Sequence, residues 1–131
     1  MRFRLRLRKQ ADYPSLLWHD SRVSGGVRYA TRRVSLGQRI ELTKKVRALS
    51  ISNEFLRAGD TADQLEASLA DLLVRKLYLE WGLAALRGLW VDGELGTVEM
   101  LIEKGPEALA TEIAETIRDQ IAFTEEERKN S

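Results

Sequence analysis

The sequence predicts an α+β fold that is mostly α: a small N-terminal antiparallel β-ribbon, then a bundle of three to four helices with one long central helix. Three observations carry that expectation. Residues 2–8 alternate strictly between arginine and an apolar side chain, the period-two signature of a strand with one buried face. Leucines recur at helical spacing from Leu65 to Leu89 with no proline between them. Leu109, Ile113, Ile117 and Ile121 follow at intervals of four, which marks an amphipathic helix.

A chain of 131 residues matches one domain able to bury a real core. Its expected parts are a basic β-ribbon with a long loop (1–34), a helical core (35–123) and an acidic, polar tail (124–131). Hydrophobic residues make up 44% and charged residues 31%, the balance of a globular chain. The absence of cysteine excludes disulfides, thiolate metal ligands and cysteine nucleophiles. The interleaved arginines of the N-terminus suit neither a signal peptide nor a membrane span, so a cytoplasmic setting is expected.

In chain order, Arg2, Arg4, Arg6 and Arg8 fall on one face of the first expected strand and Phe3, Leu5 and Leu7 on the other. Residues 10–26, with Pro14 and Gly25-Gly26, read as a long loop anchored by Leu16, Leu17 and Trp18. Val27, Tyr29, Thr31 and Val34 suggest the second strand of the ribbon. Ser35-Leu36-Gly37-Gln38 has the form of a capping box and opens a helix expected over 36–58, closed by Gly59. Thr61-Ala62-Asp63-Gln64 is a second such box, opening a helix expected from 62 to about 90. Gly82 and Gly88 within it weaken the case for an unbroken run. Asp92-Gly93 and Gly96 mark turns, and Thr97 can cap a short helix through Glu103. Gly105-Pro106 ends it and starts the amphipathic helix, on which Glu107, Glu112, Glu115 and Asp119 are expected to face solvent.

The charge is bipolar. Residues 1–58 carry 14 basic against 4 acidic side chains, a balance of +10, whereas residues 59–131 carry 7 against 16, a balance of −9. Such segregation can join the two halves, two copies, or two differently charged partners. No catalytic constellation accompanies it. Ser15, His19 and Asp20 lack a nucleophile elbow and an oxyanion loop, and His19 with Asp12 and Asp20 lacks the second histidine and the spacing of a metal site. Glu80 beside Trp81 is the one acid in the leucine-rich run and a candidate buried carboxyl. The expectation is therefore a chain that is not an enzyme and has no catalytic residue, metal or cofactor.

A basic surface built from Arg2, Arg4, Arg6, Arg8, Arg28, Arg32 and the lysines near 45 would suit nucleic acid. Against it, no helix-turn-helix, zinc-finger or aromatic RNA-binding pattern is present, and the acidic half would repel phosphate. The leucines, Trp81 and Trp90 favour interaction through helices.

The ordered pieces "YATRRVSLGQRIELTKKVRAL", "NEFLRAG", "LYLEWGLAALRGLWVDGELGTVEMLIEKGPEALATEIAETI" and "EERKNS" resemble the small tail assembly chaperones of tailed phages. The matching positions are Trp81-Gly82-Leu83, then Thr97, Glu99 and Leu101, then Gly105, Pro106 and Leu109, and finally Glu127, Lys129 and Asn130. They cover about residues 27–131 and leave out the arginine-rich opening. The resemblance implies a non-enzymatic protein of phage morphogenesis that coats the helical tape-measure protein, recruits tail-tube subunits and has a longer frameshifted form in many cases. A structural virion subunit and a nucleic-acid-binding protein remain alternatives. Partner contact is expected at Trp81, Leu83, Trp90 and Leu101, each partly core, and at Arg2, Arg4, Arg6 and Arg8, whose basic face would meet an acidic surface in self-association or on a partner.

Overall fold

A computed structural model describes residues 10–57 and 60–122. The chain folds as α+β and is mostly helical: β1 (Leu16–Asp20), β2 (Arg28–Arg32), α1 (Leu36–Arg57), α2 (Thr61–Gly82), β3 (Leu83–Arg87), β4 (Trp90–Val91), β5 (Glu94–Leu95), α3 (Val98–Lys104) and α4 (Glu107–Ile121). Among the described residues β1, β2 and β3 form an antiparallel sheet in that order, and β4 pairs with β5. The arginine alternation of residues 2–8 lies outside the described residues.

Among the described residues β2 pairs on its two edges with segments that the sequence does not mark as strands. Leu16–Asp20, expected as loop, is a strand whose Trp18 lies opposite Ala30 and whose His19 lies opposite Tyr29. Only five residues long and ending in His19-Asp20, it is too short and too polar for its alternation to stand out. Its third strand comes from the expected long helix. Leucine and alanine favour helix at Leu83–Leu86, yet α2 stops at Gly82 and Leu83 is already extended. The cause is tertiary. A Cβ at Gly82 would sit 2.8 Å from Ile117 of α4, so glycine permits the approach of two helices there, and the chain then pairs with β2 across a bulge at Ala30/Thr31.

Helix termini follow local chemistry. The Gln38 amide donates to Ser35 Oγ and the Ser35 amide to Gln38 Oε1, each at 3.2 Å, so the expected capping box opens α1. The cap of α2 is one residue earlier than expected: Asp60, not Thr61, accepts from the Asp63 amide at 3.0 Å. Thr97 accepts from the Met100 amide at 3.1 Å, as its position predicts.

The inner face of the sheet is covered by α4. Leu109, Ile113 and Ile117 have no exposed surface and Tyr29 is almost as deep; each such aliphatic side chain contributes about 1.5–3 kcal/mol. Leu42, Leu79, Leu83 and Leu101 extend this core towards α1, α2 and α3.

Candidate docking surfaces and a buried carboxylate

On α4, Glu112, Thr116 and Gln120 repeat at the same interval of four as the apolar ladder, which turns them inward. Glu112 is 5% exposed, a correction to the solvated position its helix suggested. The loop after β1 wraps its carboxylate. Ser21 Oγ donates to Oε1 at 2.8 Å, the Arg22 amide lies 3.2 Å from both oxygens, the Val23 amide donates at 3.1 Å, and Tyr29 Oη donates to Oε2 at 3.0 Å. Around this centre His19 stacks on Tyr29 with ring centroids 5.0 Å apart. His19 Nε2 is 2.9 Å from Thr31 Oγ1, which also accepts from Gln120 Nε2 at 3.0 Å.

Burial alone would raise the Glu112 pKa, but the Ser21 hydroxyl, the Val23 and Arg22 amides and the Tyr29 hydroxyl together hold it below the ordinary value. Desolvation lowers His19, partly opposed by the Glu112 charge, and raises Tyr29. A carboxylate already accepting from four groups is a poor general base. Its chemistry is that of a latch, joining the β1–β2 loop and the sheet to α4.

Glu80, the sequence's candidate buried acid, is exposed and faces Lys76 at 4.0 Å. Among the described residues no group of three His, Asp or Glu side chains is placed to hold a metal ion, and no helix is long and apolar enough to cross a membrane.

Surfaces offer more. On α2, Leu65, Leu69, Leu72 and Leu73 are all exposed, Leu65 at 66%. At 100° per residue they fall within an arc of about 100°, an apolar stripe left open to solvent. Its lower half runs into a groove of about 440 Å³ between α2, α3 and α4, floored by Leu72, Leu73, Leu101 and Ile102 and rimmed by Arg75, Lys76 and Lys104. Beside the groove stands the β4–β5 hairpin, where Trp90 lies opposite Leu95 and the two are 66% and 57% exposed.

The outer face of the sheet is a third surface. Trp18 lies beside Ala30, which it helps to cover, with the Arg87 and Arg28 guanidiniums 4.6 and 5.3 Å from its ring. Arg28 also pairs with Asp20 at 3.0 Å.

Of the residues expected to contact partners, Trp90 stands free at the hairpin. Trp81 is half-buried against the core, and Leu83 and Leu101 are inside it, at 3% and 1% exposure. Leu83 therefore presents no surface, and Leu101 reaches one only as part of the groove floor. Arg2, Arg4, Arg6 and Arg8 lie outside the described residues. The groove and the Glu112 latch are not legible in the sequence, and the α2 stripe is legible only as an excess of leucines without its exposed face. For the stripe the signal was present: α2 has more leucines than one neighbouring helix can cover. Comparison with protein-family models, curated proteins and solved structures found no match.

Proposed function

We propose that this chain is a non-enzymatic protein-binding module that serves as a tail assembly chaperone of tailed phages, holding the helical tape-measure protein and recruiting tail-tube subunits. The observation that carries the reading is the open leucine stripe of α2. Soluble chains rarely leave such a contiguous apolar patch unless a partner covers it, and its period suits the apolar face of another helix. The stripe lies on the helix leading into the Trp81-Gly82-Leu83 segment of the phage-chaperone resemblance. The test is co-expression with a tape-measure protein sought among the neighbouring genes; the absence of one would count against the reading. The two should co-purify, and Leu65→Gln with Leu69→Gln should abolish capture while leaving the helical content unchanged; capture that survives the double substitution overturns the reading.

A second reading draws on the outer sheet face, where Trp18, Arg28 and Arg87 form a basic, aromatic surface of a type that single-stranded nucleic acid favours. It predicts retardation of an oligonucleotide that weakens steeply with salt and disappears in Arg87→Gln. Unretarded oligonucleotide at low salt would remove it.

A further inference from the structure

We infer that the β4–β5 hairpin of one copy seats in the α2–α3–α4 groove of a second copy, reciprocally, so that two chains form a two-fold dimer. This holds whether or not the chaperone reading does.

The hairpin has the properties of a rigid knob. Asp92 and Gly93 both have positive φ, 51° and 80°, the geometry of a two-residue turn whose twist matches its strands. That turn fixes Trp90 directly opposite Leu95, so little conformational freedom remains to be lost on docking. The groove is apolar on its floor and about 440 Å³ in volume, within the range of about 300–1,000 Å³ of pockets that take a drug-sized ligand and room enough for an indole ring and a leucine.

Charge selects the occupant. The hairpin carries Asp92 and Glu94, both exposed and with no base between its strands. The groove lining carries Arg75, Lys76 and Lys104 against the acid Glu107. Lys76 also faces Glu80 at 4.0 Å and Lys104 its own Asp92, so Arg75 is the base left to meet a second copy's Glu94. An acidic apolar knob and a basic-rimmed apolar groove thus occur on the same chain. They are adjacent, since Lys104 lines the groove and also pairs with Asp92 at 3.4 Å. Yet Trp90 and Leu95 remain exposed in the single chain, because the short tether from β3 and the Asp92–Lys104 contact hold the hairpin beside its own groove.

Adjacent complementary patches close on themselves across a two-fold axis, each copy giving its knob and receiving the other's. An aromatic anchor buries about 150–250 Å². Two exchanged knobs thus make a small interface, below the standard size of about 1,600 Å². The dimer is therefore concentration-dependent.

Sedimentation velocity over a dilution series tests the proposal on the full chain. The wild type should pass reversibly from monomer to dimer. Trp90→Ser, which removes the knob, and Leu73→Ser, which opens the groove floor, should each raise the dimer dissociation constant at least tenfold, with Arg75→Glu as a second groove variant. Circular dichroism checks that each is folded. Mixing Trp90→Ser with Leu73→Ser leaves one intact knob facing one intact groove, so the mixed pair should associate more tightly than either variant alone and less tightly than the wild type. Leu65→Gln with Leu69→Gln, outside the groove, should leave the dimer unchanged, which separates this result from loss of tape-measure capture. A wild type that stays monomeric at every concentration overturns the proposal, as does a Trp90→Ser dimer of undiminished strength. Binding of an acidic helical peptide in the groove of a strictly monomeric chain would do the same.

Discussion

The Tyr29 hydroxyl and the Glu112 carboxylate meet at 3.0 Å across 83 positions of sequence, and this bond joins the centre of the sheet to the middle of α4. Because the same carboxylate accepts from Ser21 and two backbone amides of the β1–β2 loop, removing it leaves several donors buried at once. Glu112→Ala should cost about 3 kcal/mol in urea unfolding, against about 1 kcal/mol for Tyr29→Phe, which deletes one donor. Equal losses for the two variants would show that the loop does not depend on the carboxylate.

Acid should weaken the fold in two stages. His19 is lowered in the folded chain from its ordinary 6.5, so the unfolded chain takes up its proton first and stability declines as pH falls below about 6.5. Glu112 is lowered from its ordinary 4.5. Its contribution is complete above that value and is lost as pH falls through the depressed folded one. Melting temperatures from pH 8 down to about pH 3 should show both declines, and His19→Gln should erase only the first. A flat profile in that variant between pH 5 and 3 would refute the Glu112 assignment.

Gly88 has φ +83°, and a Cβ there would run into the Gly26 carbonyl oxygen, where the turn after β3 meets the β1–β2 loop. Gly88→Ala should therefore cost well over the roughly 1 kcal/mol of left-handed strain alone. Gly93 has φ +80° but open space around its Cα. Gly93→Ala supplies the strain-only control, and denaturant midpoints that coincide for the two would show that the close approach does not matter.

Exposed and buried leucines of α2 should separate cleanly. Replacing Leu65 and Leu69 with Gln should change stability by no more than about 0.5 kcal/mol each. Leu79→Ala, at 4% exposure, should cost about 2–5 kcal/mol. A large loss from the outer pair would mean that the stripe is covered within the chain.

Legibility followed the range of the interaction. The mostly helical class, the capping box at Ser35, the Asp92-Gly93 turn and the inward ladder of α4 depend on residues within one or two turns of each other, and the sequence displays all of them. Leu83–Arg87 is locally helical in composition and becomes a strand because Gly82 lets α2 approach Ile117 and β2 offers an open edge. Glu112 looked solvated because carboxylates on amphipathic helices usually are. Only its interval of four with Thr116 and Gln120 set it apart, and its donors lie about ninety residues away. Leu83 and Leu101, expected to be partly core and partly at a partner surface, are fully buried by elements that no local pattern brings together. The stripe at Leu65–Leu73 could be read as leucine excess, but which side stays open depends on where α1 and α4 lie.

The junction at Gly82 also has a mechanical meaning. Because α2 passes into β3 with no intervening loop, the leucine-bearing helix is a lever rooted in the sheet. A tilt of its outer end, if the packing against α1 and α4 allowed it, would be carried into the hydrogen bonds between β3 and β2. A helix clasped at Leu65 and Leu69 would then be registered some 25 Å away, at about 1.5 Å per residue, as a change in how readily the β2 and β3 amides exchange with water.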